Sequence, residues 1–373
     1  MGKVIYIFVG LFSLFCAFFE FWFKNYNKRL TFHRQLYFFL SLFLILFAGT
    51  RADTGLDFGN YQSIYYRIHS GGSFLECQVE PLYWFVNLIS PSEKIMFLLF
   101  ASISCIPILH IFYKYCTNKF LCLFLFYCTC YVYFDMGIIR EGAAISVIIW
   151  GLKYAHDRKY IRFFISILIA EMFHLTAFAA LPILLIGEKR KKISFYLCLT
   201  VFFVVISSAL PSILIKLIGR FSGVFALAAY KFNAYTTYLF SESNIIGAKI
   251  YRSGLMLLFI YLYTRYISRT TTKSVKSCNT IEYSWVYMNA YFVSTLEFLI
   301  LSSIPYFSTR FSAILYYSFF FIYNALISKK VNKWIRLFML FLALVTSFRA
   351  LMNTIYNSTG NMYIPYTSWL LKI

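Results

Sequence analysis

Charge is what this sequence has least of. Of its 373 residues, 13% are charged and 61% are hydrophobic, whereas a soluble domain carries roughly 25% charged residues. Too few polar side chains remain to cover the surface of a soluble protein of this length. The composition therefore excludes a cytoplasmic enzyme, a disordered chain and a nucleic-acid-binding domain. It predicts a single polytopic membrane domain over residues 1–373, because about 20 apolar residues cross a bilayer.

Recognisable catalytic and metal-binding motifs are also missing. The sequence has no Walker loop, no dinucleotide-binding glycine pattern, no Gly-x-Ser-x-Gly and no His-x-x-x-His zinc motif. Its nine cysteines lie mostly within apolar runs and lack a metal-binding spacing. We therefore expect no metal and no cofactor. With no nucleotide pocket, a transferase of this kind must use an already activated, lipid-linked donor.

Apolar runs of membrane-spanning length are abundant, and they predict an all-α polytopic membrane protein with ten spanning helices. The predicted spans are residues 4–22, 35–49, 95–113, 120–134, 138–154, 193–210, 250–266, 284–303, 311–327 and 337–350. A further apolar run, residues 163–186, differs from these because basic clusters flank it on both sides.

The basic residues decide the topology. If the run 163–186 enters and leaves the membrane on one side, six cytoplasmic loops hold 22 of the 35 Lys and Arg residues, as the positive-inside rule requires. If it crosses once, the basic loops after it fall outside. We therefore predict a re-entrant hairpin over 163–186 with its bend near His174. Arms of about 12 residues reach roughly 18 Å, past the midplane without crossing.

Two long loops then face outward, at residues 51–93 and 211–249. Half of the 14 acidic residues lie in the first loop or at the next outward turn. These are Asp53, Asp57, Glu76, Glu80, Glu93, Asp135 and Glu141.

Three arginines, Arg51, Arg140 and Arg310, end or open hydrophobic helices at this outward face. A single arginine at the edge of the hydrocarbon can simply extend its charge to water. Three at one depth favour an anion site, and the planar guanidinium suits phosphate. An anion at the membrane surface indicates a lipid phosphate or pyrophosphate.

His174 is a candidate for proton transfer. It lies at the predicted bend, three residues after Glu171, so both share one face if that turn is helical. A histidine within a membrane segment is either a hydrogen-bonded core residue or a functional group. As a functional group it would be a general base or donate a hydrogen bond to a phosphate.

The first outward loop resembles the EpsG-like branch of the Wzy polysaccharide polymerases. In that branch an Arg, then Gly-x-Asp, then a Tyr lead to a Glu-Pro before a short helix. The matching residues here are Arg51, Gly55, Asp57, Tyr61, Glu80 and Pro81. Arg140, His174 and Arg310 match later blocks of the family pattern.

The resemblance implies a GT-C-like, metal-independent glycosyltransferase in the bacterial inner membrane, with its active site facing the periplasm. A growing glycan would pass from undecaprenyl pyrophosphate to the terminal sugar of an incoming lipid-linked repeat unit. The polysaccharide would be O-antigen or a related polymer. The partners would be that undecaprenyl-pyrophosphate-linked oligosaccharide, membrane lipid and a polysaccharide chain-length regulator.

This chemistry assigns roles to the candidate residues. Arg51, Arg140 and Arg310 would hold the pyrophosphate. The acceptor hydroxyl would be activated by Asp57, Glu80 or His174, and the sequence leaves these alternatives open. The glycan would contact Asp53 and loop aromatics, namely Tyr61, Tyr65, Tyr66 and Trp84.

Three other functions fit a membrane protein of this composition less well. A flippase for lipid-linked oligosaccharides would be expected to have repeat symmetry and a charged central cavity. An O-antigen ligase usually has its main outward loop late in the chain, whereas here it is early. A membrane acyltransferase would be expected to open its ionisable centre to the cytoplasm.

Overall fold

The computed structural model describes most of the chain, and its regular structure is almost all helical. The described residues are 2–23, 30–207, 242–267, 284–302, 304–356 and 362–370. Most of the predicted second outward loop, 211–249, lies outside the described residues, except for 242–249 at the start of a helix.

The helices of the described residues fall into two groups, before and after residues 208–241. Those before the gap at 208–241 are α1 (Gly2–Phe23), α2 (Leu30–Gly49), α3 (Phe58–His69), α4 (Pro81–Ile89), α5 (Glu93–Tyr115), α6 (Lys119–Phe126), α7 (Val132–Phe134), α8 (Ile139–His156), α9 (Tyr160–Glu171), α10 (Pro182–Ile186) and α11 (Ile193–Ile206). Those after it are α12 (Glu242–Leu262), α13 (Trp285–Ile300), α14 (Pro305–Tyr316), α15 (Phe319–Leu326) and α16 (Lys333–Tyr356). A π-helical turn, Tyr127–Tyr131, joins α6 to α7, and another, Tyr263–Ile267, ends α12.

Five helical segments in the described part of the chain are long and apolar enough to cross a membrane. They are Gly2–Glu20, Thr31–Gly49, Glu93–Tyr115, Ile245–Ile267 and Lys333–Tyr356. The protein is therefore all-α, with helices of membrane-spanning length. The count of ten spans and the GT-C-like arrangement stay predictions.

The predicted span 311–327 is divided between two helices. Pro305 begins α14, where its fixed φ suits the first turn of a helix. The chain leaves helical geometry after Tyr316, and α15 begins at Phe319. Arg310 consequently lies in the second turn of α14, and our placement of Arg310 at the opening of a helix is wrong.

Helix α5 lies between α2 and α8, and α8 also packs against α9. Small residues allow these close approaches, as is usual where helices pack in a membrane. A Cβ at Gly49 of α2 would lie 2.7 Å from the side chain of Leu98. One at Gly151 of α8 would lie 2.8 Å from the Cβ of Ser166. The small side chains at these crossings let α2 and α5, and α8 and α9, pack closely.

The C-terminal segment docks where α2 ends. A short strand after α2, β1 (Arg51–Ala52), pairs antiparallel with β2 (Thr367–Ser368), with Arg51 opposite Ser368. Tyr366 stacks on Phe47 with ring centroids 4.2 Å apart. This contact between distant parts of the chain holds the start of the first loop in place.

The run 163–186 is broken at the predicted position. Helix α9 ends at Glu171, His174 has an extended backbone, and a 3₁₀ segment, Leu175–Ala180, leads to α10. The 3₁₀ segment packs back against α9. The two arms therefore form a hairpin, and its re-entry into a bilayer stays a prediction.

Candidate active site

An open cavity of about 300 Å³ lies beside α3. We call it the α3 cavity. It is bounded by one face of α3, by the connection before α4 and by the first turn of α8. Its lining residues are Asp57, Asn60, Tyr61, Ser63, Ile64, Arg67, Cys77, Gln78, Val79 and Arg140.

The sequence of α3 explains why one of its faces lines the cavity. Asp57, Asn60, Ile64 and Arg67 recur at intervals of three or four residues, which brings them to one side of a helix. The opposite side buries Phe58 and neighbouring apolar residues. Helix α3 is therefore amphipathic, and the carboxylate of Asp57 and the guanidinium of Arg67 both border the cavity.

Arg140 and Glu80 form an ion pair on the cavity wall. Nη1 of Arg140 lies 2.7 Å from Oε2 of Glu80, and the two side chains are 22% and 12% exposed. Glu80 immediately precedes Pro81, the first residue of α4, while Arg140 lies in the first turn of α8. The guanidinium also lies over the ring of Tyr83, 5.2 Å from its centroid. A charge-assisted bond in this partly buried setting fixes the cation at the cavity wall.

Tyr61 interacts with several of the charged residues that the sequence analysis identified as candidates. Burial raises the pKa of its hydroxyl, the cations Arg140 and Arg310 oppose that rise, and Asp57 adds to it. Arg51 also interacts electrostatically with Tyr61. The three predicted arginines therefore all interact electrostatically with one tyrosine, although they differ in what their guanidinium groups contact.

Arg51 is held inside the protein. It is 1% exposed. Its Nε donates to the Thr54 carbonyl oxygen at 3.0 Å, and its Nη1 donates to the Ala48 carbonyl oxygen. Its guanidinium lies 4.7 Å from the ring centroid of Phe97. Arg51 therefore neutralises and caps the carboxyl end of α2, and its predicted contact with pyrophosphate stays a prediction.

Arg310 approaches the same region from α14. Its guanidinium lies 4.3 Å from the ring centroid of Tyr306, and the residue is half-buried. Helix α14 packs against α8 and against the 3₁₀ segment after His174. Arg310 and Arg140 both act electrostatically on Glu141. Arg310 is not among the residues that line the α3 cavity, and it acts on the charged groups beside that cavity from a helix far along the chain.

His174 lies at the bend of the hairpin, next to α4. The Met172 carbonyl oxygen accepts hydrogen bonds from the backbone N–H groups of Leu82 and Tyr83, at 3.0 and 3.2 Å. Nδ1 of His174 lies 2.7 Å from the Thr176 hydroxyl. His174 is half-buried and is not among the residues that line the α3 cavity. The bend thus supports the first turn of α4, directly after Glu80.

The predicted glycan-binding residues separate into two groups. Tyr61 lines the cavity. Tyr65 donates its hydroxyl to the Ser90 carbonyl oxygen at 3.0 Å, and the indole N–H of Trp84 donates to the Gly72 carbonyl oxygen at 2.9 Å. Asp53 and Tyr66 are exposed outside the cavity lining. Tyr65 therefore ties α3 to the end of α4, and Trp84 supports the loop between α3 and α4. Their contact with a glycan stays a prediction.

Sequence reasoning missed Arg67 and gave Glu141 no individual role. Arg67 lines the cavity ten residues after Asp57 on the same face of α3, and that helical spacing is the signal that would have identified it. Glu141 is fully buried beside Arg140. Its position directly after a candidate arginine was visible, whereas its burial was not.

A comparison with protein-family models identifies the chain. The EpsG family model matches residues 34–368, a range that contains the whole α3 cavity, α8, the hairpin and α14. The chain belongs to the EpsG family. The resemblance inferred from the first loop is therefore confirmed. Comparison with curated proteins and with solved structures returned no significant match.

Membership of the EpsG family gives the general function. It indicates a membrane protein of polysaccharide biosynthesis, with a role of the polysaccharide polymerase or glycosyltransferase type. The apolar helices of the described chain agree with a location in a membrane.

Proposed function

We propose that this protein polymerises lipid-linked oligosaccharide repeat units as an integral-membrane glycosyltransferase. The growing glycan passes from undecaprenyl pyrophosphate to the terminal sugar of an incoming undecaprenyl-pyrophosphate-linked unit. The α3 cavity carries this proposal, because in an EpsG-family chain it brings a carboxylate, Asp57, and a guanidinium, Arg140, to one open space.

The reaction makes one bond and breaks one bond. An acceptor hydroxyl oxygen attacks the anomeric carbon of the donor glycan, and the bond from that carbon to the pyrophosphate oxygen breaks. The hydroxyl proton passes to a base, and the electron pair of the broken bond leaves with the prenyl pyrophosphate. The protein must therefore supply a proton acceptor and stabilise a developing negative charge.

Asp57 is the best-placed base of the three that the sequence left open. Glu80 is engaged with Arg140 at 2.7 Å, and Nδ1 of His174 is engaged with Thr176. Asp57 lines the cavity, and its carboxylate accepts a hydrogen bond from the side-chain amide of Asn60 at 3.5 Å. We assign proton acceptance to Asp57, positioning of Arg140 to Glu80 and support of α4 to the segment at His174.

Arg140 and Arg310 stabilise the leaving pyrophosphate in this proposal. Both arginines interact electrostatically with Tyr61 and Glu141, and they belong to separate helices. In this proposal, a pyrophosphate near Tyr61 meets two cations that are already in position before the reaction. Preorganised cations of this kind need little rearrangement when the charge develops. Arg67 adds a third positive charge at the cavity lining. The setting is the periplasmic face of a bacterial inner membrane, and the product is O-antigen or a related polysaccharide.

The direct test uses the purified full chain in detergent with an undecaprenyl-pyrophosphate-linked repeat unit. We expect a ladder of lengthened lipid-linked glycan. Asp57→Asn is expected to lower the rate at least ~100-fold, the usual contribution of a general base. Asp157→Asn is the matched control, because Asp157 pairs with Lys159 just beyond the far end of α8 from Arg140. It should leave the rate within about twofold of the wild type.

Two outcomes contradict the proposal. A wild-type protein that translocates the lipid-linked unit in vesicles but never lengthens it in detergent is a flippase. An unchanged rate in Asp57→Asn removes Asp57 as the base.

A further inference from the structure

Glu141 is a carboxylate buried inside the protein. It lies in the first turn of α8, directly after Arg140, and is 0% exposed. Among the residues that the structure describes, neither of its carboxylate oxygens has a hydrogen-bond partner. Burying an ionised group without such partners costs free energy, so its presence needs an explanation outside local structure.

Helix capping does not provide that explanation. A glutamate at the third position of a helix commonly accepts a hydrogen bond from the backbone N–H of the residue before the helix. Here that residue is Ile138, and its N–H donates instead to the Tyr133 carbonyl oxygen at 3.2 Å. Glu141 is therefore free of the structural role expected at its position.

The surroundings of Glu141 are cationic. Arg140 is its neighbour in α8, and Arg310 approaches from α14, which packs against α8. Both positive charges act on Glu141, together with the negative charge of Asp57. Arg140 lines the α3 cavity and Glu141 does not. Glu141 is therefore buried in the first turn of the helix that brings Arg140 to the cavity, without lining that cavity itself.

We propose that Glu141 is a positioning residue whose buried charge limits how tightly Arg140 and Arg310 hold a prenyl pyrophosphate. This inference rests on the proposed function, because the pyrophosphate that leaves the glycan must itself leave before the next transfer. An anion fixed behind the two guanidinium groups keeps them converged when the site is empty. It also opposes part of their attraction for the product, which speeds its release.

Equilibrium binding of farnesyl pyrophosphate to the purified full chain in detergent tests this role without turnover. Glu141→Gln removes the charge and keeps the shape, and we expect binding about tenfold tighter than in the wild type. Glu141→Asp keeps the charge and is expected to bind like the wild type. Glu297→Gln is the matched control. Glu297 is also buried with both oxygens unbonded among the described residues, but the cation acting on it is Arg252.

The result is decisive in either direction. Unchanged or weaker binding in Glu141→Gln overturns the inference, as does equal tightening in Glu297→Gln or a wild type that binds no farnesyl pyrophosphate. Thermal unfolding of each variant shows whether it is folded.

Turnover separates this inference from the proposed function. Glu141→Gln is expected to lower kcat and KM together and to strengthen inhibition by added prenyl pyrophosphate, whereas a merely structural defect does not tighten product binding. If even the wild type fails to lengthen glycan, the proposed polymerase function falls. The binding comparison still decides the role of Glu141 in that case.

Discussion

The arginine after α2 and the arginine at the start of α8 carry the same guanidinium in opposite surroundings. Arg51 is 1% exposed, donates to two backbone carbonyl oxygens and lies against Phe97. Arg140 is held by one carboxylate, that of Glu80, and lines an open cavity. The difference teaches that a place at the edge of an apolar helix does not by itself make an arginine a candidate ligand. Arg140 lines an open cavity, whereas Arg51 is buried, with two donors on backbone carbonyl oxygens and Nη2 without a partner among the described residues.

Of the two arginines, Arg140 should have the larger effect on activity when it is removed. We expect Arg140→Ala to lower the rate of glycan lengthening at least ~100-fold, because a fixed donor to the developing charge is lost. The rate of Arg140→Lys should fall between those of the wild type and Arg140→Ala, since lysine keeps the charge but not the planar donor pair. The rate in the detergent assay is the measurement.

The unpaired Glu80 needs its own control in that experiment. The double variant Arg140→Ala/Glu80→Gln removes the buried charge that Arg140→Ala leaves behind, so it should recover stability but not activity. A rate near that of the wild type in Arg140→Ala would contradict the claim that Arg140, unlike Arg51, acts directly on activity.

Removing Arg51 should act on stability instead. Arg51→Ala leaves the carbonyl oxygens of Ala48 and Thr54 without their donor and opens a cavity beside Phe97. We expect a loss of ~3 kcal/mol in the free energy of unfolding, with the rate per folded molecule within about threefold of the wild type. Thermal unfolding followed beside the rate checks this. If Arg51→Ala kept the thermal stability of the wild type but lengthened glycan much more slowly, the result would instead support the predicted contact of Arg51 with pyrophosphate.

The smallest predicted effect concerns Asp135, whose carboxyl group interacts electrostatically with Arg51. This effect depends on pH. Burial raises the pKa of Asp135 from 3.8 to about 7, against the opposing effects of the Ser104 hydroxyl and Arg51. The folded state therefore binds more protons than the unfolded state between those values, and stability falls as the pH rises from about 4 to 7. We expect Asp135→Asn to flatten this decline and to raise the Tm at pH 8 by at least ~3 °C.

Asp157→Asn, at an exposed carboxylate, should keep the wild-type pH dependence. An identical decline in Asp135→Asn and the wild type would show that Asp135 is not the group responsible.

Much of the framework could be predicted from the sequence because it depends on local composition. Long apolar runs predicted the helices around residues 4–22, 35–49, 95–113, 250–266 and 337–350, which the structure confirms as long enough to span a membrane. Basic flanks and length predicted that the run 163–186 is interrupted near His174. The loop motif predicted the family.

The geometry of the site was less accessible to sequence reasoning. Apolar composition is nearly uniform around a membrane helix, so it does not indicate which face meets a neighbour. Arg67 was missed although its helical spacing from Asp57 was visible in the sequence. Tyr65 and Trp84 were assigned to the glycan, although their polar atoms bond to backbone carbonyl oxygens. The strand pair between residues 51–52 and 367–368 joins segments too distant in sequence for a local pattern to indicate.

The sequence by itself determined where apolar and basic residues lie, because the cost of placing charge in hydrocarbon acts on each segment separately. It thereby determined the helical class, the interrupted hairpin and the gathering of acids and arginines in and around the first loop. Only the tertiary structure decided which arginine reaches an open cavity. That outcome depends on partners supplied by other helices, since Glu80 comes to Arg140 from 60 residues away and Arg310 arrives on α14. Those contacts exist only once the helices have packed.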